Sequence, residues 1–237
     1  MENKKFKVIF FDLDGTLLPM DERFDEQYFK LLCKRLAPLG YDSDNVIKSV
    51  WAGTKAMMKN DGSKTNEQVF WDEYAKINGE ASRADEKLFR EFYENDFEGI
   101  KEVCGFDPNA KLIIEELKSL GYRLVLATNP LFPRVATEMR IMWAGLEPSD
   151  FEIVTVYEDS KFCKPNLKYF EDLCEKLGVL PEECLMVGND VEDDMPAANL
   201  GMKVFLILGC LLHGDGKDLS FYPQGNLQDL IKFIKNA

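Results

Sequence analysis

Five short apolar runs, each ending in polar or glycine residues, constrain the fold of this chain more than any other sequence feature. The first covers residues 5–12 and reads KFKVIFFD. A run this uniformly apolar is typical of a strand buried on both faces, as in the centre of a parallel sheet. We predict a strand at each run, and the other four cover residues 122–128, 152–156, 184–187 and 203–208.

Segments with helix-like spacing of apolar residues lie between these runs. Segment 109–120 follows Asp107-Pro108, a favourable helix start, and stops at Gly121. Strands that alternate with helices indicate a parallel sheet covered on both faces. The predicted fold class is therefore α/β, with a Rossmann-like, doubly wound parallel sheet as its core. The other predicted core helices cover residues 166–177, 191–200 and 227–234.

One long stretch interrupts the alternation, because residues 19–104 contain no convincing strand. About 85 residues between two strands is far too many for a connecting loop. We therefore predict an inserted, all-helical cap domain at residues 19–104 and a core domain built from residues 1–18 and 105–237. Four cap segments have helix-like apolar spacing: 26–36, 44–58, 65–77 and 83–94.

Composition argues against several classes of partner. The 237 residues carry a net charge of −13 without a run of Lys and Arg, so no nucleic-acid partner is expected. The longest apolar run, residues 204–212, is too short to cross a bilayer, so no membrane association is expected. The charged first residues do not resemble a signal peptide, and the six cysteines lack CxxC spacing. We predict a cytoplasmic protein with reduced thiols, either a monomer or a homodimer.

Two carboxylates end the first predicted strand, in the sequence DLDGT that begins at Asp12. Alternate residues leave a strand in the same direction, so Asp12 and Asp14 are expected on one side. Gly15 allows a sharp turn behind them. Such a pair can bind a hard cation, or it can act as nucleophile and proton carrier. The alternative is an ordinary turn in which Asp14 caps the following helix.

Polar residues also follow the other predicted strands, at the sheet edge where open parallel sheets bind ligands. Thr128 ends the second strand beside Asn129, and its hydroxyl could donate to a phosphoryl oxygen. Lys164 precedes a helix and could neutralise anionic oxygens. Segment 188–194 contains four acids that repel one another unless a cation or a lysine lies among them. Taken singly, each feature also fits a turn residue, a solvated lysine or an acidic helix start.

In this order, the four segments resemble the motifs of the haloacid dehalogenase-like hydrolase superfamily, and the resemblance covers nearly the whole chain. The DxDGT segment is its most specific part. The resemblance implies that Asp12 is the nucleophile and Asp14 the general acid and base. It also implies that Thr128, Asn129 and Lys164 bind the substrate phosphate, with Thr128 and Lys164 counted among the catalytic residues. The helical insert is similar to the alpha-helical cap of that family.

The same resemblance implies a magnesium site, with Mg²⁺ as the cofactor. The family often has an aspartate directly after the glycine of the fourth motif, and this chain has Asn189 there. Whether Asn189 also binds the metal is left open. The acid that orients the lysine is either Asp193 or Asp194. The predicted metal ligands are Asp12, Asp14 through its backbone carbonyl, and Asp190.

The resemblance therefore predicts a magnesium-dependent phosphatase that acts on a small phosphorylated metabolite through an aspartyl-phosphate on Asp12. An aspartate at the position of Asp14 favours phosphatases and phosphomutases over dehalogenases, so a sugar phosphomutase is the alternative enzyme. Non-enzymatic alternatives are a phospho-acceptor of the receiver type, which is a shorter domain without a helical insert, and an inactive binding protein.

The cap is expected to determine substrate specificity. Lys55 and Lys59 share one face of a predicted helix close to Trp51 and Lys64. These lysines could meet an anionic substrate, but a solvated helix surface is the more ordinary interpretation. Three further aromatic residues are predicted to pack the interior rather than bind a ligand: Trp71, Tyr74 and Trp143.

Overall fold

A parallel sheet of six strands forms the core of the computed structural model, which describes residues 5–236. The strands are β1 (Val8–Phe11), β2 (Arg123–Leu126), β3 (Ile153–Val154), β4 (Cys184–Gly188), β5 (Lys203–Ile207) and β6 (Gln224–Gly225). They lie in the order β3-β2-β1-β4-β5-β6, and all neighbours are parallel. The predicted α/β, doubly wound fold is confirmed, because helices cover both faces of this sheet.

Alternate residues of the strands bury the two faces of the sheet. In β1, Ile9 and Phe11 belong to the apolar cluster that also contains the cap, whereas Val8 and Phe10 belong to the cluster on the opposite face. All four side chains are completely buried. The core helices are α5 (Pro108–Ser119), α6 (Arg134–Trp143), α7 (Leu167–Leu177) and α8 (Leu227–Asn236).

The helix predicted at residues 191–200 is wrong in its first half. Residues 191–194 form turns, and only Met195–Leu200 is helical, as a 3₁₀ helix. The Asp190 side chain accepts hydrogen bonds from the amides of Glu192 (2.8 Å) and Asp193 (3.2 Å), which stabilises a turn in place of an α-helix. Pro196 then lacks the amide hydrogen that an α-helical turn needs.

Apart from one β-bridge between its two ends, the inserted region contains helices and turns and no strand among its described residues. Its α-helices are α1 (Arg23–Leu36), α2 (Ser43–Met58), α3 (Asn66–Asn78) and α4 (Glu86–Asn95). The chain enters and leaves the insert through two neighbouring segments, because Met20 and Cys104 form a β-bridge and the Gly105 amide donates to the Pro19 carbonyl at 2.8 Å. The domain boundaries predicted above stay a prediction.

Aromatic side chains fill the insert and its junction with the core. Trp71 and Tyr74 are 5% and 1% exposed, so both rings are buried as predicted. Trp143 is buried as predicted, and its ring stacks on Phe97 at a centroid distance of 5.4 Å. No helix among residues 5–236 is long and apolar enough to cross a bilayer.

Candidate active site

The sheet order reverses direction between β1 and β4, and the side chains of the candidate site lie at the carboxyl ends of these strands. Asp12 directly follows β1, and its amide donates to the Val187 carbonyl at 2.9 Å. On the other side of β1, the Ala127 amide donates to the Phe11 carbonyl at 2.7 Å. The central strand therefore fixes the backbone position of Asp12 from both sides.

Lys164 joins two of the carboxylates in the interior. Its Nζ lies 2.8 Å from Asp12 Oδ1 and 2.6 Å from Asp194 Oδ1. Burial favours a lower pKa for Lys164, but the two carboxylates outweigh this effect and hold its pKa well above the usual range. Burial raises the pKa of Asp194 to about 7, against the opposing attraction of the Lys164 ammonium. Of the two acids left open by the sequence, Asp194 is the one that contacts the lysine.

Asn129 and Asp193 hold the loop that carries Lys164. The Lys164 amide donates to Asn129 Oδ1 at 3.2 Å, and Asn129 Nδ2 donates to Asp193 Oδ2 at 3.0 Å. Asp193 thus contacts Asn129 and not the Lys164 ammonium. The residues expected to bind phosphate are therefore linked to one another through side-chain amide contacts.

Two glycines permit the close approach of the strand ends. Gly15 has φ +85°, and a Cβ there would lie 2.3 Å from Nδ2 of Asn189. A Cβ on Gly188 would lie 2.0 Å from Oδ2 of Asp194. Both distances are far below a van der Waals contact, so no larger residue fits either position without a shift of the site.

Asp14 forms an ion pair with Arg140, a residue that the sequence interpretation missed. Arg140 Nη1 contacts Asp14 Oδ2, and Arg140 is 1% exposed. Among residues 5–236 the buried Asp14 Oδ1 has no hydrogen-bond partner, although the side chain as a whole keeps 26% exposure. Burial raises the pKa of Asp14, and Arg140 opposes that rise. The available signal was an arginine on the inward face of α6, between Ala136 and Ile141.

Two buried side chains hold the loop after β2 through hydrogen bonds to its backbone. The Thr128 carbonyl accepts hydrogen bonds from Thr155 Oγ1 at 2.6 Å and from the Tyr169 hydroxyl at 2.9 Å. Thr128 itself is 2% exposed. Neither Thr155 nor Tyr169 belongs to the sequence motifs, so both were missed.

The residues predicted to bind metal occupy two neighbouring places. Thr16 Oγ1 lies 2.8 Å from Asn189 Oδ1 and 3.4 Å from Asp12 Oδ2, so one hydroxyl brings an amide oxygen and a carboxylate oxygen together. Asp190 instead contacts His213, whose Nδ1 lies 2.9 and 3.0 Å from its two carboxylate oxygens. The hydrogen bond to Asp190 raises the pKa of His213. His213 stands in none of the sequence motifs, so its contact with Asp190 was not predicted.

The donor set fits a hard divalent cation. A carboxylate oxygen of Asp12 and the amide oxygen of Asn189 meet at the Thr16 hydroxyl, and both are oxygen types that Mg²⁺ takes in proteins. No three side chains of His, Cys, Asp or Glu gather into a metal cluster within residues 5–236. An ion bound there would therefore depend on amide, backbone and water oxygens as well as on carboxylates.

Comparison with known proteins identifies relatives along most of the chain. A model of the haloacid dehalogenase-like hydrolase family matches residues 6–201. The pyrophosphatase PpaX of Bacillus velezensis is 25% identical over 204 residues, which are 86% of this chain and 83% of that protein. A glyceraldehyde 3-phosphate phosphatase of Methanothermobacter thermautotrophicus is 33% identical over 101 residues, which are 42% of this chain and 43% of that protein.

A solved structure shows the same fold. The HAD-hydrolase YfnB from Bacillus subtilis, described as putative and as bound to magnesium, aligns with a TM-score of 0.58 and 19% identity. The alignment covers 98% of this chain and 100% of that one.

The parallel sheet, the helical cap and the lysine shared by two carboxylates define a hydrolase with a Rossmann-like core and a helical cap. The chain belongs to the haloacid dehalogenase-like hydrolase family. Within that family it is an enzyme of the phosphatase type, a phosphoric monoester hydrolase.

Proposed function

We propose that the chain is a magnesium-dependent phosphatase that hydrolyses a small phosphorylated metabolite through an aspartyl-phosphate on Asp12. The observation that carries the proposal is the buried Asp12 carboxylate (7% exposed) with one oxygen 2.8 Å from the Lys164 ammonium. A cation at this distance weakens the repulsion between the carboxylate and an incoming phosphate. The names of the two relatives support the same class of reaction.

The proposed reaction has two steps. In the first, a carboxylate oxygen of Asp12 attacks phosphorus in line with the leaving oxygen. The bond from phosphorus to the leaving oxygen breaks, and Asp14 gives that oxygen a proton. In the second, water attacks phosphorus and passes a proton to Asp14. The bond between phosphorus and Asp12 then breaks, and inorganic phosphate leaves.

Asp14 is proposed as the acid and base because its surroundings favour both protonation states. Burial favours the neutral carboxyl group, whereas Arg140 favours the carboxylate. Such opposing influences suit a group that must change its protonation state within each turnover. The Phe132 ring holds Arg140 in place, with the guanidinium carbon 4.4 Å from the ring centroid. Through its ion pair, Arg140 in turn fixes the orientation of Asp14.

The phosphoryl oxygens are proposed to bind three kinds of donor. These are the Thr128 hydroxyl, the Lys164 ammonium and the backbone amides of Leu13 and Asn129. Donors that are already fixed stabilise the transition state without reorganisation. The hydrogen bonds that hold the Thr128 carbonyl and the Lys164 amide support this role, because they restrict the movement of both donors.

Magnesium is proposed as the cofactor. The residues that would hold it are Asp12, the backbone carbonyl of Asp14 and Asp190, and the amide oxygen of Asn189 lies beside them. When bound, the ion supplies positive charge to the transferring phosphoryl group. The magnesium reported for YfnB, a protein of the same fold, supports this choice.

Phosphate release from an aryl phosphate and a panel of phosphorylated metabolites tests the proposal. We expect turnover that requires Mg²⁺, stops with EDTA and falls at least about a thousandfold in Asp12→Asn. The matched control is Asp21→Asn, because Asp21 is an exposed aspartate that pairs with Arg23. Trapping of a phosphorylated intermediate in wild type, and its absence from Asp12→Asn, checks the identity of the nucleophile.

Two results would contradict the proposal. Full activity of Asp12→Asn would show that Asp12 is not the nucleophile, and equal turnover in EDTA would show that the reaction does not require the metal. Transfer of the phosphoryl group to a sugar without phosphate release would favour the phosphomutase alternative. A phosphorylated Asp12 without any turnover would favour a phospho-acceptor. The cytoplasmic location and the monomeric or homodimeric state stay predictions from the sequence.

A further inference from the structure

A cavity of about 710 Å³ lies between the cap helices and the core. This volume is within the usual range for small-molecule sites. All four cap helices contribute to its wall, and the core contributes α6 and the loops after β2 and β3. The cavity is therefore large enough for a leaving group much bigger than the three-carbon chain of a triose.

Aromatic rings form most of the apolar wall. On the cap side, Trp51, Phe70, Trp71 and Phe89 line the cavity, and Phe132 and Tyr157 face them from the core. The buried Trp71 indole interacts with the Tyr157 hydroxyl, so the cap and core sides of the wall meet there. A wall of this kind offers flat aromatic faces to a ligand.

The charge along the cavity is negative. The described lining contains six carboxylate residues and two arginines, and both arginines already have partners. Arg90 pairs with Glu86 at 3.3 Å, and Arg134 pairs with Glu138 at 3.5 Å and with Asp159. The six carboxylate residues are Asp25, Glu67, Glu86, Glu94, Glu138 and Glu158.

Glu67 is a partly buried acid of the lining that has no ion pair within the described residues. Its carboxylate accepts no hydrogen bond within the described part of the chain, whereas Glu158 accepts two from the Arg134 amide, at 2.9 and 3.1 Å. Burial raises the pKa of Glu67, and the neighbouring Glu158 and Glu86 raise it further, whereas Arg90, which is already paired with Glu86, lowers it. A bound cation would relieve both effects at once.

The basic face suspected from the sequence does not supply that charge. Lys55 and Lys59 are exposed and do not line the cavity. On the same helix, Val50, Trp51, Thr54 and Met58 face it instead. The solvated interpretation of these lysines therefore agrees with their position.

The cavity adjoins the catalytic residues through two contacts. Arg140 pairs with Asp14 and also lies over the ring of Phe132, which is part of the cavity wall. Asn66, next to Glu67, donates to the Pro130 carbonyl at 3.2 Å. Its side chain also lies 3.3 Å from the sulfur of Cys163, the neighbour of Lys164.

We propose that this cavity receives the leaving group, and that the substrates are phosphate monoesters of ring-bearing alcohols that carry a positively charged nitrogen. This inference rests on the proposed phosphatase function. Aromatic faces attract both rings and organic cations. Unpaired carboxylates attract the nitrogen and repel an anionic leaving group. Polyanionic substrates, such as pyrophosphate, are therefore expected to be poor.

Three aryl phosphates of nearly equal size separate charge from shape. They are the phosphate esters of tyramine, 4-ethylphenol and 3-(4-hydroxyphenyl)propionate, whose tails are cationic, neutral and anionic. We expect kcat/KM to fall in that order, with at least about tenfold between the cationic and anionic esters. Glu67→Gln should reduce this ratio by at least about threefold, whereas the exposed Glu26→Gln should leave it unchanged.

Binding of the free phenols gives a readout that does not depend on turnover. Trp51 and Trp71 line the cavity, so their fluorescence should change on titration with tyramine and less with 3-(4-hydroxyphenyl)propionate. An equal or reversed order of the three esters, or tighter binding of the anionic phenol, would overturn the inference and leave the phosphatase function intact. Hydrolysis of other panel substrates but none of these esters would also overturn it. Failure of the proposed phosphatase mechanism would instead appear as full activity of the Asp12→Asn variant.

Discussion

The absence of a Cβ atom at two glycines determines the geometry of the catalytic residues. Asp194 reaches Lys164 only because Gly188 has no side chain, and Asn189 reaches Thr16 only because Gly15 has none. These glycines carry no chemistry of their own. They nevertheless determine where two functional side chains lie.

We expect Gly188→Ala to lower kcat by about a hundredfold or more, because the new methyl group would displace the Asp194 carboxylate from Lys164. Steady-state kinetics on the best substrate of the panel measures the effect. Gly209→Ala is the matched control, since a Cβ at Gly209 meets no atom within 4 Å. A Gly188→Ala variant with wild-type kcat would show that the contact between Asp194 and Lys164 is dispensable.

A second prediction concerns pH and Glu67. Because burial raises the pKa of Glu67, the folded chain keeps a proton there at pH values where the unfolded chain has lost it. The stabilisation is present at low pH and is lost as pH rises through the folded pKa. Glu67→Gln should therefore be more stable than wild type near about pH 8, by less than about 1 kcal/mol because Glu67 is partly exposed.

Urea unfolding of both proteins across the pH range checks this sign. The difference in free energy of unfolding should disappear near about pH 3, where Glu67 is protonated in both states. The same substitution at the exposed Glu26 is the control. A Glu67→Gln variant less stable than wild type near about pH 8 would mean that the Glu67 carboxylate has a stabilising partner.

Predictability from the sequence differs between residues of the site. Asp12, Asp14, Thr128 and Lys164 stand in recognisable motifs, so their positions could be predicted. Arg140 and His213 stand in none, and each reaches the site across a distance that the sequence does not encode. Their roles depend on how α6 and the loop after β5 pack, which is a tertiary property.

Among the elements, α3 connects cap and core most directly. The amides of Asn66 and Glu67 donate to the carbonyls of Ser160 and Tyr157 at 2.8 and 3.0 Å. The buried Asn66 side chain also accepts a hydrogen bond from Asn60 at 2.9 Å and donates to the Pro130 carbonyl. The first turn of this helix therefore fixes the cap against the loops that follow β2 and β3.

We expect Asn66→Ala to lower the free energy of unfolding by about 1–3 kcal/mol, because it leaves buried polar partners without hydrogen bonds. Urea denaturation measures the change. Asn45→Ala, which removes an exposed hydrogen bond to Asn78, should change stability by less than about 0.5 kcal/mol. Equal effects of the two substitutions would contradict a docking role for the α3 terminus.

Elements with a strong apolar period were predictable, and those without one were not. The five short apolar runs all contain strands, whereas β6 (Gln224–Gly225) has no apolar pattern and pairs through its backbone with Leu206 and Ile207. Helix α6 was missed because its inward face includes Thr137 and Arg140, which interrupt the apolar period.

The whole molecule is strongly acidic, with a net charge of −13. Every phosphate ester must approach this field before it meets Lys164. Long-range repulsion slows the encounter of like charges, and salt screens it over a Debye length of about 10 Å at 0.1 M.

We therefore expect kcat/KM for an anionic substrate to rise about two- to fivefold when the ionic strength increases from about 0.01 to 0.2 M at constant Mg²⁺. Initial rates at low substrate concentration measure it. The tyramine ester is the internal comparison, and its rise should be smaller because its tail is cationic. A fall of kcat/KM with salt for both esters would mean that a local positive field dominates the approach.

The two chain segments at Met20 and Cys104, where the insert begins and ends, lie side by side. This arrangement makes the insert a replaceable module. Because the chain enters and leaves the insert at neighbouring positions, an insert of different sequence and length could occupy the same position without altering the order of the sheet. Bond cleavage and the choice of compound are then inherited separately. A lineage can acquire a new metabolite by changing one contiguous stretch of its gene while the chemistry stays fixed.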